Sequence, residues 1–242
     1  MTFDKIKKLA ENTEGWLRPI EIKFLYEQAK RLQNKGVILE IGSYKGKSTI
    51  CLAGGSEEGK KVRIIAVDPH MTDLEQKVFN NGSSSLEDFK RNIANSGLES
   101  FIELIVKKSE DAVVGWNKPI EFLWIDGDHS YEGAKLDFDL WSPFLVDGGV
   151  VAFHDSNDHL VQKVIKERIF SSPYFSDSGI AGSISFATKH CKPVSHFERL
   201  RNRLVFFYIV SQSKAQRKSL SVLIPSWIKV LVNKSLGKIS YQ

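Results

Sequence analysis

Val37-Ile38-Leu39-Glu40-Ile41-Gly42-Ser43-Tyr44-Lys45-Gly46-Lys47-Ser48 is the stretch on which the fold turns. Apolar residues run past Glu40 into a turn bracketed by Gly42 and Gly46, and residues 48–53 then begin a helical pattern. A buried strand, a glycine turn and a helix in succession are where an α/β sheet offers backbone N–H groups and a helix N-terminus to a ligand. Gly42 can take backbone angles denied to other residues, and the missing Cβ at both glycines lets a ligand come close. The spacing is E-x-G-x-x-x-G. It is neither the G-x-G-x-x-G of dinucleotide-binding folds nor the G-x-x-x-x-G-K-[ST] of a phosphate loop, which argues against a nicotinamide dehydrogenase.

Working outward, residues 62–70 read as a second buried strand ending on Asp68. Residues 101–106, 120–125 and 148–153 read as three more, with helical segments at 86–94, 136–144 and 160–170. Residues 175–178 and 184–188, joined by a turn over 179–182, form a terminal hairpin. Upstream, residues 3–11 and 20–32 are amphipathic helices. Strands alternating with helices predict an α/β, Rossmann-like, doubly wound, seven-stranded and mostly parallel sheet with a terminal antiparallel hairpin, plus a basic helical C-terminal extension. The expected division is an N-terminal helical cap over 1–36, a core over 37–189 and the extension over 190–242. Residues 71–85, with Asn80-Asn81-Gly82 and three serines at the tip, read as a mobile loop.

Hydrophobic content of 42% and charged content of 26% are ordinary for a globular chain. The two cysteines, Cys51 and Cys191, stand in no metal-ligand spacing and read as reduced thiols of a cytoplasmic protein. The first residues hold no apolar core of signal-peptide length, and no apolar run approaches the ~20 residues that span a bilayer. The net charge of +5 hides an asymmetry. Residues 190–242 carry ten Lys or Arg against the single acid Glu198, a net +9, which leaves −4 for residues 1–189.

Every unusual polar cluster falls at the C-terminal end of a strand, where open α/β sheets bind ligands. An acid at Asp68 suits the two hydroxyls of a ribose, and Ser109-Glu110-Asp111 suits an adenine. Asp126-Gly127-Asp128-His129 and His154-Asp155 are sharper, because burying carboxylates and imidazoles at neighbouring strand ends is costly unless they bind a cation or do acid–base work. Two Asp and one His make an oxygen-rich site for a divalent ion such as Mg²⁺ or Mn²⁺. The competing reading is that His129 and Asp155 only cap helix starts. His70, His159, His190 and His196 show no partners in the sequence and read as surface residues.

Taken together, E-I-G-x-x-x-G-x-S, the acid of Val67-Asp68-Pro69, Ser109-Glu110-Asp111, D-G-D-H after the fourth strand and G-G-V-V-x-x-H-D at the fifth resemble a class I S-adenosylmethionine-dependent methyltransferase. Within that class they resemble the metal-dependent O-methyltransferases of the catechol and sugar branches, over residues 15–189. The resemblance implies that Glu40, Gly42, Ser43, Tyr44, Gly46, Ser48, Asp68, Ser109, Glu110 and Asp126 surround S-adenosylmethionine. In that scheme Gly42, Ser43 and Tyr44 cradle the methionine part, Ser48 bonds its carboxylate, Asp68 takes the ribose, and Ser109 and Glu110 face the adenine. Asp126, His154 and Asp155 fall where these relatives place metal ligands, and Asp128 or His129 falls where they place the base. His154 departs from the pattern, which has a carboxylate there; an imidazole leans towards Mn²⁺, Fe²⁺ or Zn²⁺. The expected reaction is methyl transfer to a hydroxyl of a small molecule or glycan, a sugar foremost, with a methyltransferase-fold binding or scaffold protein as the alternative.

The extension contains an Arg-rich helix over 194–210 and an apolar piece over 219–232. These can pack on the body, form a homo-oligomer contact, or lie peripherally on an anionic membrane. Nucleic acid is not expected, because the aromatics are not interleaved with the basic residues as stacking platforms would be.

Overall fold

The computed structural model of the chain describes residues 1–70 and 84–218, with side chains through Ser211. The loop expected over 71–85 lies outside them as far as residue 83, as does the apolar tail piece 219–232. Helices α1 (Phe3–Glu11) and α2 (Pro19–Arg31) precede β1 (Val37–Ile41), α3 (Lys47–Glu58) and β2 (Ile64–Val67). Then come α4 (Ser85–Ser96), β3 (Ile102–Ile105), the single turn α5 (Ser109–Ala112), β4 (Ile120–Ile125) and α6 (Tyr131–Trp141). The chain continues through β5 (Leu145–Phe153), α7 (His159–Ile165), β6 (Phe175–Ala181), β7 (Ile184–Lys189) and α8 (His196–Lys218).

One seven-stranded sheet results, in the order β3-β2-β1-β4-β5-β7-β6. Strands β1 to β5 pair in parallel, while β7 runs antiparallel to both β5 and β6. Side chains alternate across the pleat, so each strand feeds two cores. Ile38, Ile64, Ala66, Phe122, Trp124 and Ala152 meet α1 to α4 on one face. Leu39, Ile41, Ile65, Val67, Leu123, Ile125, Val151 and Phe153 meet α6, α7 and α8 on the other. Both faces are covered, which is why these strands are apolar nearly throughout.

The fold places its polar residues in a row. Beyond the last strand residues the ladder continues for one bond: Gly42 N donates to Val67 O (2.9 Å), Asp68 N to Ile105 O (3.2 Å), Asp126 N to Ile41 O (2.8 Å) and His154 N to Ile125 O (3.0 Å). Gly42, Asp68, Asp126 and His154 are therefore fixed side by side at one edge of the sheet. Strand β1 lies between β2 and β4, so this edge holds the point where the winding of the sheet reverses, the usual ligand crevice.

Two local expectations are corrected. The hairpin turn is not at 179–182; β6 runs on to Ala181 and Gly182 (φ +69°) begins the turn. Gly179 stays in the strand because the Phe186 ring lies over it, where a Cβ would come within 2.5 Å of the ring. Strand β5 starts at Leu145, three residues earlier than the apolar run, and the β4–β5 register shifts between Ile120 and Phe122 to absorb Asp147-Gly148-Gly149.

Candidate active site

The loop after β1 is held open by three left-handed residues, Gly42 (φ +83°), Tyr44 (φ +44°) and Gly46 (φ +88°). At Gly42 there is no room for a side chain: a Cβ would lie 2.2 Å from the carbonyl oxygen of Asp126. Glu40 is wholly buried beneath the loop and accepts hydrogen bonds from Ser48 Oγ (2.5 Å) and Thr49 Oγ1 (2.6 Å), tying the strand to the start of α3. Burial pushes the Glu40 carboxyl up to about 8, against the opposing pull of those two hydroxyls.

Two expected ligand contacts are engaged within the protein instead. The amides of Ser43 and Tyr44 both donate to Asp68 Oδ2 (2.9 and 2.8 Å), and His70 N donates to Asp68 Oδ1 (2.7 Å). The anion cradled by the loop is thus Asp68. The Ser48 hydroxyl donates to Glu40. Ser43 Oγ, by contrast, is buried with no hydrogen-bond partner. On the adenine side Ser109 Oγ accepts from Trp141 Nε1 (2.8 Å).

At the ends of β4 and β5 the acids and imidazoles converge. His154 Nδ1 lies 3.0 Å from Asp126 Oδ1 and 3.3 Å from Asp155 Oδ2. Ligand atoms of Asp126, His154 and Asp155 all fall within 4.8 Å of one another. Asp155 sits at φ +46°, held there because Ser156 N and Oγ both donate to Ser183 O (2.8 and 2.6 Å). The His129 ring closes the cluster, its nitrogens 3.5 Å from Asp126 and 3.5 Å from Asp155. Burial alone would lower the His154 pKa, but Asp126, Asp155 and Glu21 around it push it up to about 12. Hydrogen bonding to Asp126 likewise raises His129, against burial. Asp128 also lines the cleft and accepts from Ser130 N (2.8 Å) and Ser130 Oγ (2.9 Å) in a turn that starts α6.

Both clusters open into one cleft of about 770 Å³, lined among others by Ser43, Asp68, Glu110, Asp126, His129 and Asp155, a size typical of small-molecule sites. Residues 39–156, which contain every one of these groups, match the family described as methyltransferase domain. The core of this chain is a methyltransferase domain. The doubly wound sheet around it has the fold of class I S-adenosylmethionine-dependent methyltransferases. Protein R132 of Acanthamoeba polyphaga mimivirus is 24% identical over 161 residues, 66% of this chain and 69% of that protein. An O-methyltransferase from Bacillus cereus, solved in complex with S-adenosylhomocysteine, shares the fold at a TM-score of 0.56 and 21% identity, covering 77% of this chain and 91% of that one. TomG from Streptomyces achromogenes, an O-methyltransferase of tomaymycin synthesis solved with S-adenosylmethionine, superposes at 0.55 with 17% identity over 78% and 89%.

The methyltransferase also recruits residues that sequence reasoning missed. Glu21, fully buried, accepts from Ser183 N (2.7 Å), Ser183 Oγ (2.9 Å) and Arg18 N (2.7 Å), and its Oε2 lies 3.6 Å from His154 Nε2. The third position after the Arg18 cap of α2 is its one sequence signal, as a capping-box acid. Lys45, 5% exposed, binds Glu14 (2.7 Å) and Asp88 (3.1 Å), clamping the loop between the α1–α2 connection and α4. Trp16, exposed, packs its ring 5.4 Å from Tyr44 at the mouth of the cleft. His70 is buried rather than on the surface, 3.2 Å from Ser85 Oγ, and His190 Nε2 meets Ser176 Oγ at 2.6 Å.

Proposed function

We propose that this methyltransferase transfers a methyl group from S-adenosylmethionine to a hydroxyl of a small molecule or glycan, a sugar foremost, with a divalent cation assisting. The observation that carries the reading is the juxtaposition of the glycine loop and the Asp126–His154–Asp155 cluster in one cleft. Asp68 accepts three amide bonds and retains acceptor capacity for a ribose hydroxyl.

For a cation the donor set fits. Two carboxylates and one imidazole nitrogen face a common point, and Glu21 stands behind the far nitrogen of His154, as carboxylates do behind metal-bound histidines. Asp126, His154 and Asp155 would hold a divalent ion such as Mg²⁺ or Mn²⁺, which would supply Lewis acidity to an acceptor hydroxyl. In the transfer the acceptor oxygen bonds to the methyl carbon as the carbon–sulfur bond breaks, and the hydroxyl proton must leave. His129 supports the role of base better than Asp128, since its half-exposed ring borders the cluster while Asp128 has no such contact with it and accepts two hydrogen bonds from Ser130.

Titration of the full chain with Mn²⁺, followed by loss of the free-ion signal in electron paramagnetic resonance, tests the cation. One site is expected, abolished by Asp126→Asn and by Asp155→Asn. Full-strength binding by both variants would remove the cation from this cleft.

A further inference from the structure

The outer face of α8 is left unexplained by the cleft. Its inner face is fixed to the sheet: Asn202 Nδ2 donates to Phe175 O (2.7 Å), Ser178 Oγ donates to Asn202 Oδ1 (2.6 Å), and Val205 and Ile209 are buried. Phe206 lies with its ring 5.2 Å from that of Phe170. On the opposite side Phe197, Leu200, Leu204 and Phe207 follow one another at spacings of three and four and form a single stripe. Phe197, Leu200 and Phe207 are 68%, 56% and 65% exposed, and no described residue covers them.

Arg199 and Arg203 border this stripe on successive turns, and among the described residues no carboxylate pairs with either. The nearby acids, Glu198 and Asp177, are both taken by Arg201. From residue 204 to residue 242 the sequence adds six Lys or Arg and no acid.

We infer that this face of α8 docks on an anionic membrane surface. Charge decides among the occupants an apolar stripe could take. A second copy would set Arg199 and Arg203 against their own like charges. A nucleic acid would satisfy the guanidinium groups but offers no apolar phase for two Phe and two Leu. An anionic bilayer answers both: the apolar stripe sinks to the acyl boundary while the arginines reach the lipid phosphates. The attachment is peripheral, because no described helix is long and apolar enough to cross a membrane.

The test is flotation of the full chain with vesicles of phosphatidylcholine alone and of phosphatidylcholine mixed with phosphatidylglycerol. The chain is expected to float with the anionic vesicles only, and less at high salt. Arg199→Glu with Arg203→Glu is expected to lower partitioning by about tenfold or more. Phe197→Ser with Phe207→Ser is expected to lower it comparably while leaving the thermal midpoint unchanged, since both rings are exposed. Absence of flotation by the unaltered chain would overturn the inference. So would flotation indifferent to the Phe pair, which would show adsorption by charge alone. A dimer in sedimentation velocity that the Phe pair dissociates would instead give the stripe to a second copy.

Discussion

Glu21 shows how a residue far in sequence is drawn into a site. Burial raises its pKa, but His154, Arg18 and the amides of Arg18 and Ser183 outweigh that and hold the carboxyl well below the usual carboxylate range. Its negative charge orients the His154 ring, so that Nδ1 faces Asp126 and Asp155. Glu21→Gln keeps the shape and removes the charge; Mn²⁺ affinity measured by paramagnetic resonance is expected to fall by about 10- to 100-fold, and an unchanged affinity would assign Glu21 to the hairpin alone. Glu40 gives a pH signature. Its folded pKa of about 8 exceeds the ordinary 4.5 because the carboxyl is buried. Below 4.5 both states are protonated. Between 4.5 and about 8 the unfolded chain releases the proton and the folded chain keeps it, so the group loses stability as pH rises. Thermal melts of Glu40→Gln and the unaltered chain are expected to shift in favour of the variant from pH 5 to pH 8, and a constant difference would contradict the buried neutral carboxyl.

At the scale of elements, the junction of β1 and β4 is the part with least tolerance. Gly42→Ala must both hold φ +83° and displace the Asp126 carbonyl, so urea unfolding is expected to show a loss above about 2 kcal/mol. A neutral result would mean the two strand ends are not in contact. This junction was legible, because an apolar run, a glycine and a helical pattern leave few alternatives. Less legible was what the loop amides would bind. Glycine spacing announces free N–H groups but not that Asp68, brought beside them by β1–β2 pairing, accepts two of them. The β6 boundary failed for a similar reason: Gly179 looks like a turn residue in sequence, whereas the Phe186 ring from the paired strand occupies its side-chain space.

The whole molecule places a row of polar strand ends between helices supplied from both sides. The five parallel strands and the Asp126, His154 and Asp155 cluster could be read from the chain, since each acid or histidine follows directly on an apolar run. Glu14 and Glu21 could not, because the α1–α2 connection and α2 carry no local sign of which strand end they will cover. Phe197, Leu200 and Phe207 were also read only as part of a helix needing a partner; the structure separates the face that packs on β6 and the Phe170 turn from the face that does not. The central claim is that the cleft beside Gly42 and Asp68 holds the methyl donor. Isothermal titration with S-adenosylhomocysteine measures it most directly. One molecule per chain should bind, and Asp68→Ala, checked for an intact fold by circular dichroism, should weaken that binding by about tenfold or more. No heat with the unaltered chain, or equal affinity in a folded Asp68→Ala, would contradict it.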